Sequence, residues 1–373
     1  MRGHGEGSIT QRKDGIWQAA ISLEGGKRRF YYGPTRKAVS DKLKEALRDQ
    51  LRGILPTGPD QTVESYLTRW LADVAKHTVR PSTFEDYEEM VRVHALPAIG
   101  KLKLSKLTAQ QLQALYSAML AKGLSPSTAQ KMHAILHRAL DQAMRWDIVA
   151  RNVADLVDAP RPGKREMQPL DSEQAARFLE VARGDRLHAL YVVAVSTGMR
   201  QSEMLGLTWQ DVDFDAATLH VRQQLGRITG EGFKFSEPKT SKGRRSISLP
   251  AFAVVALREH RVRQLEERLK ASSEWVDQGL VFANEVGRPI ERQNLVRRSF
   301  QPLLEKAGCP RIRFHDLRHT AATLLLSQGV HPKVAQERLG HSTIGMTLDV
   351  YSHVLPDMQR DAADKLEALF GVG

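Results

Sequence analysis

Four stretches of the sequence carry side chains that can bind anions, move protons or act as nucleophiles. Thr197-Gly198-Met199-Arg200-Gln201-Ser202-Glu203 follows an apolar helical run, Leu190 to Val195. Gly198 can end that run, which leaves Arg200 and Glu203 three apart on one face of the next turn; alone, they make an i,i+3 ion pair. Pro238-Lys239-Thr240-Ser241-Lys242-Gly243-Arg244-Arg245 precedes a strand marked by Ile247 and Leu249, so this basic run falls at a hairpin end and alone reads as a solvated turn. Phe314-His315-Asp316-Leu317-Arg318-His319-Thr320 opens a helix that continues through Ala321, Leu324, Leu325 and Leu326 to Gly329, with His315 and Arg318 on one face. His315 and His319 have the spacing of a metal pair. However, Asp316 stands where a zinc-hydrolase helix carries Glu, and no Cys or second cluster completes a site, so no metal is expected. Last, Leu339-Gly340-His341-Ser342 follows a short helix begun by Pro332, and Tyr351 and His353 come soon after. A lone Tyr in such a setting is ordinarily a packing residue.

The order and spacing of these pieces say more than any one of them. The set Arg200, Lys239, His315-x-x-Arg318, Leu-Gly-His341 and Tyr351 resembles the tyrosine site-specific recombinase family, and the resemblance covers the whole chain. It implies a catalytic domain over 166–373, a helical core-binding (SAM-like) domain over 62–157, and over 1–56 the arm-type DNA-binding domain of phage and integrative-element integrases. Lys234 and Lys242 flank Lys239, but the Lys239-Thr240 pair before a strand is the family's usual setting.

The chemistry is consistent with that resemblance. Phosphodiester cleavage passes through a highly anionic phosphorane-like state, and the permanently charged forks of Arg200 and Arg318 suit its non-bridging oxygens. A tyrosine phenolate is a fair nucleophile and later a fair leaving group, so attack by Tyr351 would conserve bond energy in a covalent intermediate without ATP. The resemblance implies that Lys239 protonates the leaving 5′ oxygen. It also implies that His315 assists proton transfer from Tyr351 and that His341 donates a hydrogen bond to phosphate. Glu203 is expected to orient Arg200 or His315.

The elements that must position these groups are legible in outline. Residues 1–52 read as a β-β-β-α unit: Asp14-Gly15 and Gly25-Gly26 are two-residue hairpin signals, Ile16, Trp17, Ala19, Ile21 and Leu23 mark a strand, and Thr35 caps a helix carrying Val39, Leu43 and Leu47. Over 62–157 four helices are expected. Val63, Tyr66, Leu67, Trp70, Leu71 and Val74 form the stripe of the first, Ser82/Glu85 and Thr108/Gln111 are spaced as capping boxes, and Ser125-Pro126 opens the last. Linkers fall at Gly53–Gln61 and at Pro160–Arg165. Beyond them a mainly helical α+β domain is expected, with hairpin strands at 212–214 and 219–221 and a second pair around Lys239–Leu249. An amphipathic helix over Asp357–Phe370 (Ala362, Leu366, Leu369, Phe370) could dock on a neighbouring protomer.

Composition fits this picture. The chain of 373 residues carries a net charge of +12, and residues 1–52 hold twelve Lys/Arg against six acids, half that charge in about a seventh of the length. Candidate DNA contacts are Arg12, Lys13, Trp17, Lys27, Arg28 and Arg29 in that unit, and Arg161, Lys164 and Arg165 in the second linker. A single Cys309 excludes a disulfide framework, and no apolar run is long enough to cross a bilayer. The expected function is integration and excision of a mobile element through a 3′-phosphotyrosine intermediate, without a cofactor. The expected setting is the bacterial cytoplasm and nucleoid, in a homotetramer on double-stranded core and arm attachment sites, with a possible excisionase and host DNA-bending protein. The alternatives are a chromosome-dimer resolvase with the same chemistry and a catalytically silent DNA-binding regulator. A zinc hydrolase is remoter still.

Overall fold

The computed structural model describes residues 7–22, 28–51, 61–163, 167–238 and 243–340, together with 343, 345, 364, 367 and 370. The chain divides into two compact units, Met1–Lys164 and Arg165–Gly373.

The first unit opens with strands β1 (Ser8–Gln11), β2 (Trp17–Ser22) and β3 (Arg28–Gly33), an antiparallel sheet in sequence order, followed by a helix over Arg36–Leu51. Thr35 Oγ1 accepts from the Ala38 amide, which starts the helix, and Val39 and Leu43 pack with Ala19 and Ile21 into a small core. The β1–β2 connection departs from a two-residue turn. Arg12 N donates to Ile16 O at 2.9 Å and Gly15 N to Arg12 O at 3.0 Å, closing a three-residue loop. Only Gly15 takes positive φ (+82°), so Asp14 avoids that strain and Gly15 alone absorbs it.

A second, separate core fills the helical part. Helix Val63–Trp70 continues through a π-helical turn at Leu71–Ala75, and buries Tyr66, Leu67 and Trp70 against Leu112, Leu115 and Tyr116 of helix Ala109–Ala121 and Met132, Ile135 and Leu136 of helix Pro126–Arg145. The Thr108/Gln111 capping box forms, with Gln111 N donating to Thr108 Oγ1 and Thr108 N to Gln111 Oε1. The Ser82/Glu85 box does not, because the helix already starts at Pro81, whose preset φ makes it a good first residue and puts Ser82 inside the first turn.

In the second unit, helix His188–Thr197 is buried on nearly all sides, and Tyr191 meets Phe178, Phe300 and Phe314 at ring-centroid distances of 5.2, 6.1 and 6.4 Å. Strands β4 (Val212–Asp213) and β5 (Thr218–Val221) pair as expected. The second strand pair differs. An unexpected hairpin, β6 (Gln224–Ile228) with β7 (Gly232–Ser236), precedes the basic run, and β8 (Arg245–Ser248) pairs with β5 rather than with a strand near Lys239. Ile247 therefore packs opposite Leu219 in the core. Helices Asp316–Ser327 and Pro332–Leu339 meet along Ala322, Leu326, Ala335 and Leu339.

Candidate active site: an arginine cluster around one carboxylate

Gly198 ends the helix His188–Thr197 in the left-handed conformation, φ +64°. A Cβ there would lie 2.3 Å from Leu339 Cδ2 and 3.2 Å from Ala321 Cβ, so only glycine lets this turn approach the two helices behind it. The turn delivers Arg200 to the start of helix Gln201–Leu205. Glu203, 1 % exposed, accepts from the Arg200 amide at 3.1 Å and pairs with Arg200 Nη1 at 2.6 Å. Its other cation is Arg245 of β8, whose Nη2 donates to Glu203 Oε2 at 3.0 Å. Glu203 thus orients Arg200, one of the two expected partners, but its second partner is Arg245 rather than His315.

The helix Pro332–Leu339 ends at Gly340, φ +69°, as expected of a C-terminal glycine. Its terminal carbonyls carry the negative end of the helix dipole, and two guanidiniums use them: Arg200 Nη2 donates to Gly340 O at 3.1 Å and Arg245 Nε to Arg338 O at 2.8 Å. Arg318, 3 % exposed on the first turn of helix Asp316–Ser327, donates from Nη1 to Gly198 O at 2.8 Å. Its Nη2 is buried and has no partner among the described residues.

Two guanidiniums therefore share a single carboxylate, and a third, Arg318, lies within its electrostatic reach without pairing to it. Burial pushes the Glu203 carboxyl up, but Arg245 and Arg200 outweigh it and hold Glu203 below the usual range. Burial, with Arg200 and Arg245 adding to it, brings Arg318 down to about 9, so it stays cationic at neutral pH but poorly compensated. An anion brought to Arg200 and Arg318 would supply the missing countercharge and accept from the unused Nη2.

His315 sits at the N-terminus of Arg318's helix, its ring 5.4 Å from that of His319 in a T-shaped contact. Burial, His319 and Arg318 lower its pKa, outweighing the neighbouring Asp316, which raises it. Asp316 is engaged by Arg313, at 2.7 Å from Nη2, which accounts for an acid beside His315 without a metal role. No group of three or more metal-ligating side chains occurs among the described residues. Lys239, His341 and Tyr351 lie outside the described residues, as does the expected helix over 357–370 apart from Asp364, Glu367 and Phe370. Lys234, the described rival to Lys239, is paired with Glu231.

In the N-terminal sheet, register sorts the candidate DNA contacts. Trp17, Ala19 and Ile21 pair with Gly33, Tyr31 and Arg29 on the helix-covered face, so Trp17 packs on the small core and Arg29 shares that side. The open face carries Thr10, Gln18, Arg28, Phe30 and Tyr32; Phe30 and Tyr32 are exposed, and Arg12 lies 5.6 Å over the Tyr32 ring. Lys13 is exposed at the loop tip and Arg161 is exposed near the end of the first unit. Lys27, Lys164 and Arg165 lie outside the described residues.

Comparison with known proteins decides the family. Residues 168–358 match the model described as the phage integrase family, and residues 62–120 match the N-terminal SAM-like domain of phage integrases. This chain belongs to the phage integrase family. It is 32 % identical to a tyrosine recombinase XerC-like protein of Caldanaerobacter subterraneus subsp. tengcongensis, over 93 % of this chain and 94 % of that protein. It is also 33 % identical to an integrase of Streptomyces ambofaciens, over 100 % and 98 % of the two chains. The Tn1549 transposon integrase, solved in complex with a circular intermediate DNA, superposes with a TM-score of 0.69 at 26 % identity, covering 82 % of this chain and 99 % of that one. The lambda integrase shares the fold, with a TM-score of 0.58 at 17 % identity. As a phage-integrase-family member, the protein is a site-specific recombinase of mobile-element integration and excision that breaks and rejoins DNA.

Proposed function

We propose that strand cleavage proceeds by attack of the Tyr351 phenol oxygen on the scissile phosphorus. The O–P bond to tyrosine forms as the bond to the 5′ oxygen breaks, leaving a 3′-phosphotyrosine and a free 5′-hydroxyl. Arg200 and Arg318 hold the non-bridging oxygens, Lys239 gives the 5′ oxygen its proton, His315 assists removal of the phenol proton, and His341 donates to the phosphate. The observation that carries this reading is the arginine excess around Glu203, which leaves a buried Arg318 nitrogen unpaired and in want of an anion. The test is a nicked suicide substrate bearing the cognate site. Wild type should accumulate a covalent protein–DNA adduct, and Tyr351→Phe should form none while binding DNA as well; an adduct with the Phe variant would assign the nucleophile elsewhere.

Residues 166–373 would carry this chemistry, 62–157 grip core-site DNA and 1–56 grip arm-type sites through the open sheet face, in a tetramer on double-stranded DNA. The lambda integrase is known as a tetramer on a Holliday junction. An excisionase and a host DNA-bending protein would set direction, and the bacterial nucleoid would be the place of action. Among the described residues no helix is long and apolar enough to cross a membrane.

A further inference from the structure

Arg245 belongs to none of the groups assigned so far, yet it is among the most constrained side chains in the second unit. Its side chain is 7 % exposed, and its three nitrogens reach three acceptors, two of them on distant segments of the chain. Nη2 meets Glu203, which holds Arg200; Nε meets the Arg338 carbonyl, two residues before Gly340; and Nη1 donates to Gly243 O at 3.1 Å. Gly243 closes the root of the segment 239–242. A Cβ on Gly243 would lie 2.4 Å from Pro238 Cβ, so the two ends of that segment touch and any larger residue must push them apart. Arg244 pairs with Glu237 across the same root, and Gln224 Nε2 donates to Glu237 O at 3.1 Å. The root is thus clamped twice, and Arg245 joins it to the carboxylate that orients the phosphate-binding Arg200.

We propose that Arg245 is a positioning residue that fixes the root of the Lys239 segment in the same frame as Arg200. This rests on the reading of Lys239 as the proton donor to the 5′ oxygen. A planar fork suits this arrangement, because its three nitrogens stand apart in fixed directions, whereas an ammonium presents all its donors from one atom. Loosening the root costs proton transfer to the leaving group and leaves phosphate binding in place.

The experiment compares two suicide substrates on the full-length protein. One has the natural 5′ oxygen at the scissile bond and the other a 5′-bridging sulfur, which departs as a thiolate and needs no proton. With oxygen, Arg245→Gln should slow adduct formation by about tenfold to a hundredfold, part of what a general acid contributes; with sulfur it should approach the wild-type rate. Gly243→Ala, which opens the pinch but leaves both buried ion pairs intact, should show the same rescued defect, and it serves if Arg245→Gln does not fold. Lys239→Ala is the reference and should also be rescued. An equal defect on both substrates for the Arg245 or Gly243 variants, with Lys239→Ala rescued, overturns the positioning role alone. Failure of sulfur to rescue Lys239→Ala overturns the assignment of the lysine, and the positioning role with it.

Discussion

Arg318 donates through Nη1 to the carbonyl oxygen of Gly198 at 2.8 Å, so the residue that ends one buried helix holds the guanidinium presented by another. The glycine is doubly committed: its φ of +64° disfavours any other residue, and its missing Cβ is the space into which Leu339 packs.

Gly198→Ala should therefore cost about 2–4 kcal/mol, from left-handed strain and overpacking together. For a unit of some 200 residues that lowers the melting temperature by roughly 5–15 °C, measurable by calorimetry. Adduct formation should fall as well, since Arg200 and Arg318 both hang from this turn. A wild-type melting temperature would mean the turn relaxes freely.

Removing the poorly compensated cation has a different signature. Arg318→Gln should slow adduct formation by about a hundredfold to a thousandfold, the usual loss for one transition-state donor. Affinity for an intact core site, set by many phosphate contacts, should change far less. Single-turnover cleavage and filter-binding titrations separate the two.

Glu203 ties stability to acidity. Its folded pKa lies below the unfolded value, so its contribution is fully present above the unfolded pKa, near 4.3, and is lost as pH falls through the folded value. Glu203→Gln should lose about 3 kcal/mol at pH 7, because it strips the countercharge from two guanidiniums, and should show a shallower loss of stability below pH 4.3. Urea unfolding midpoints from pH 7 to pH 3 measure both effects.

His315 should be neutral under working conditions. Burial, His319 and Arg318 all disfavour its charged form, so its ring resonances should titrate with a midpoint below the ordinary imidazole value near 6.5 in an NMR pH series. A midpoint at or above that value would mean that the neighbouring Asp316 carboxylate, which favours the charged form, outweighs burial, His319 and Arg318.

On the N-terminal sheet the two faces should respond differently. Arg28→Ala should weaken binding to arm-type DNA and reduce the salt slope by about one. Trp17→Ala should instead destabilise the small core, by about 2 kcal/mol, since Trp17 faces the helix. Salt-dependent binding and thermal melting tell these outcomes apart.

Where one element decides its own form, the sequence was a good guide. The stripe from Val63 to Leu71, the Thr108/Gln111 box and the helix-ending glycines at 198 and 340 can be read from residues within one or two turns. The β6–β7 hairpin is hard to read because its strands are short and largely polar, although Phe233 and Phe235 alternate beside Gly230, which takes positive φ. Arg245 is hidden in the sequence for another reason. It looks like one more cation in a basic run, and its partner Glu203 lies 42 residues earlier, on another element. That Trp17 takes the helix-covered face is not legible in composition, which says nothing about the side of a sheet; pairing register does.

The small core of Ala19, Ile21, Val39, Leu43 and Ala46 is separate from both larger ones. Mutational drift in the N-terminal sheet is thus largely buffered from the arginine cluster. A descendant could on that account diversify the surface of its first fifty or so residues without repacking the core around the arginine cluster.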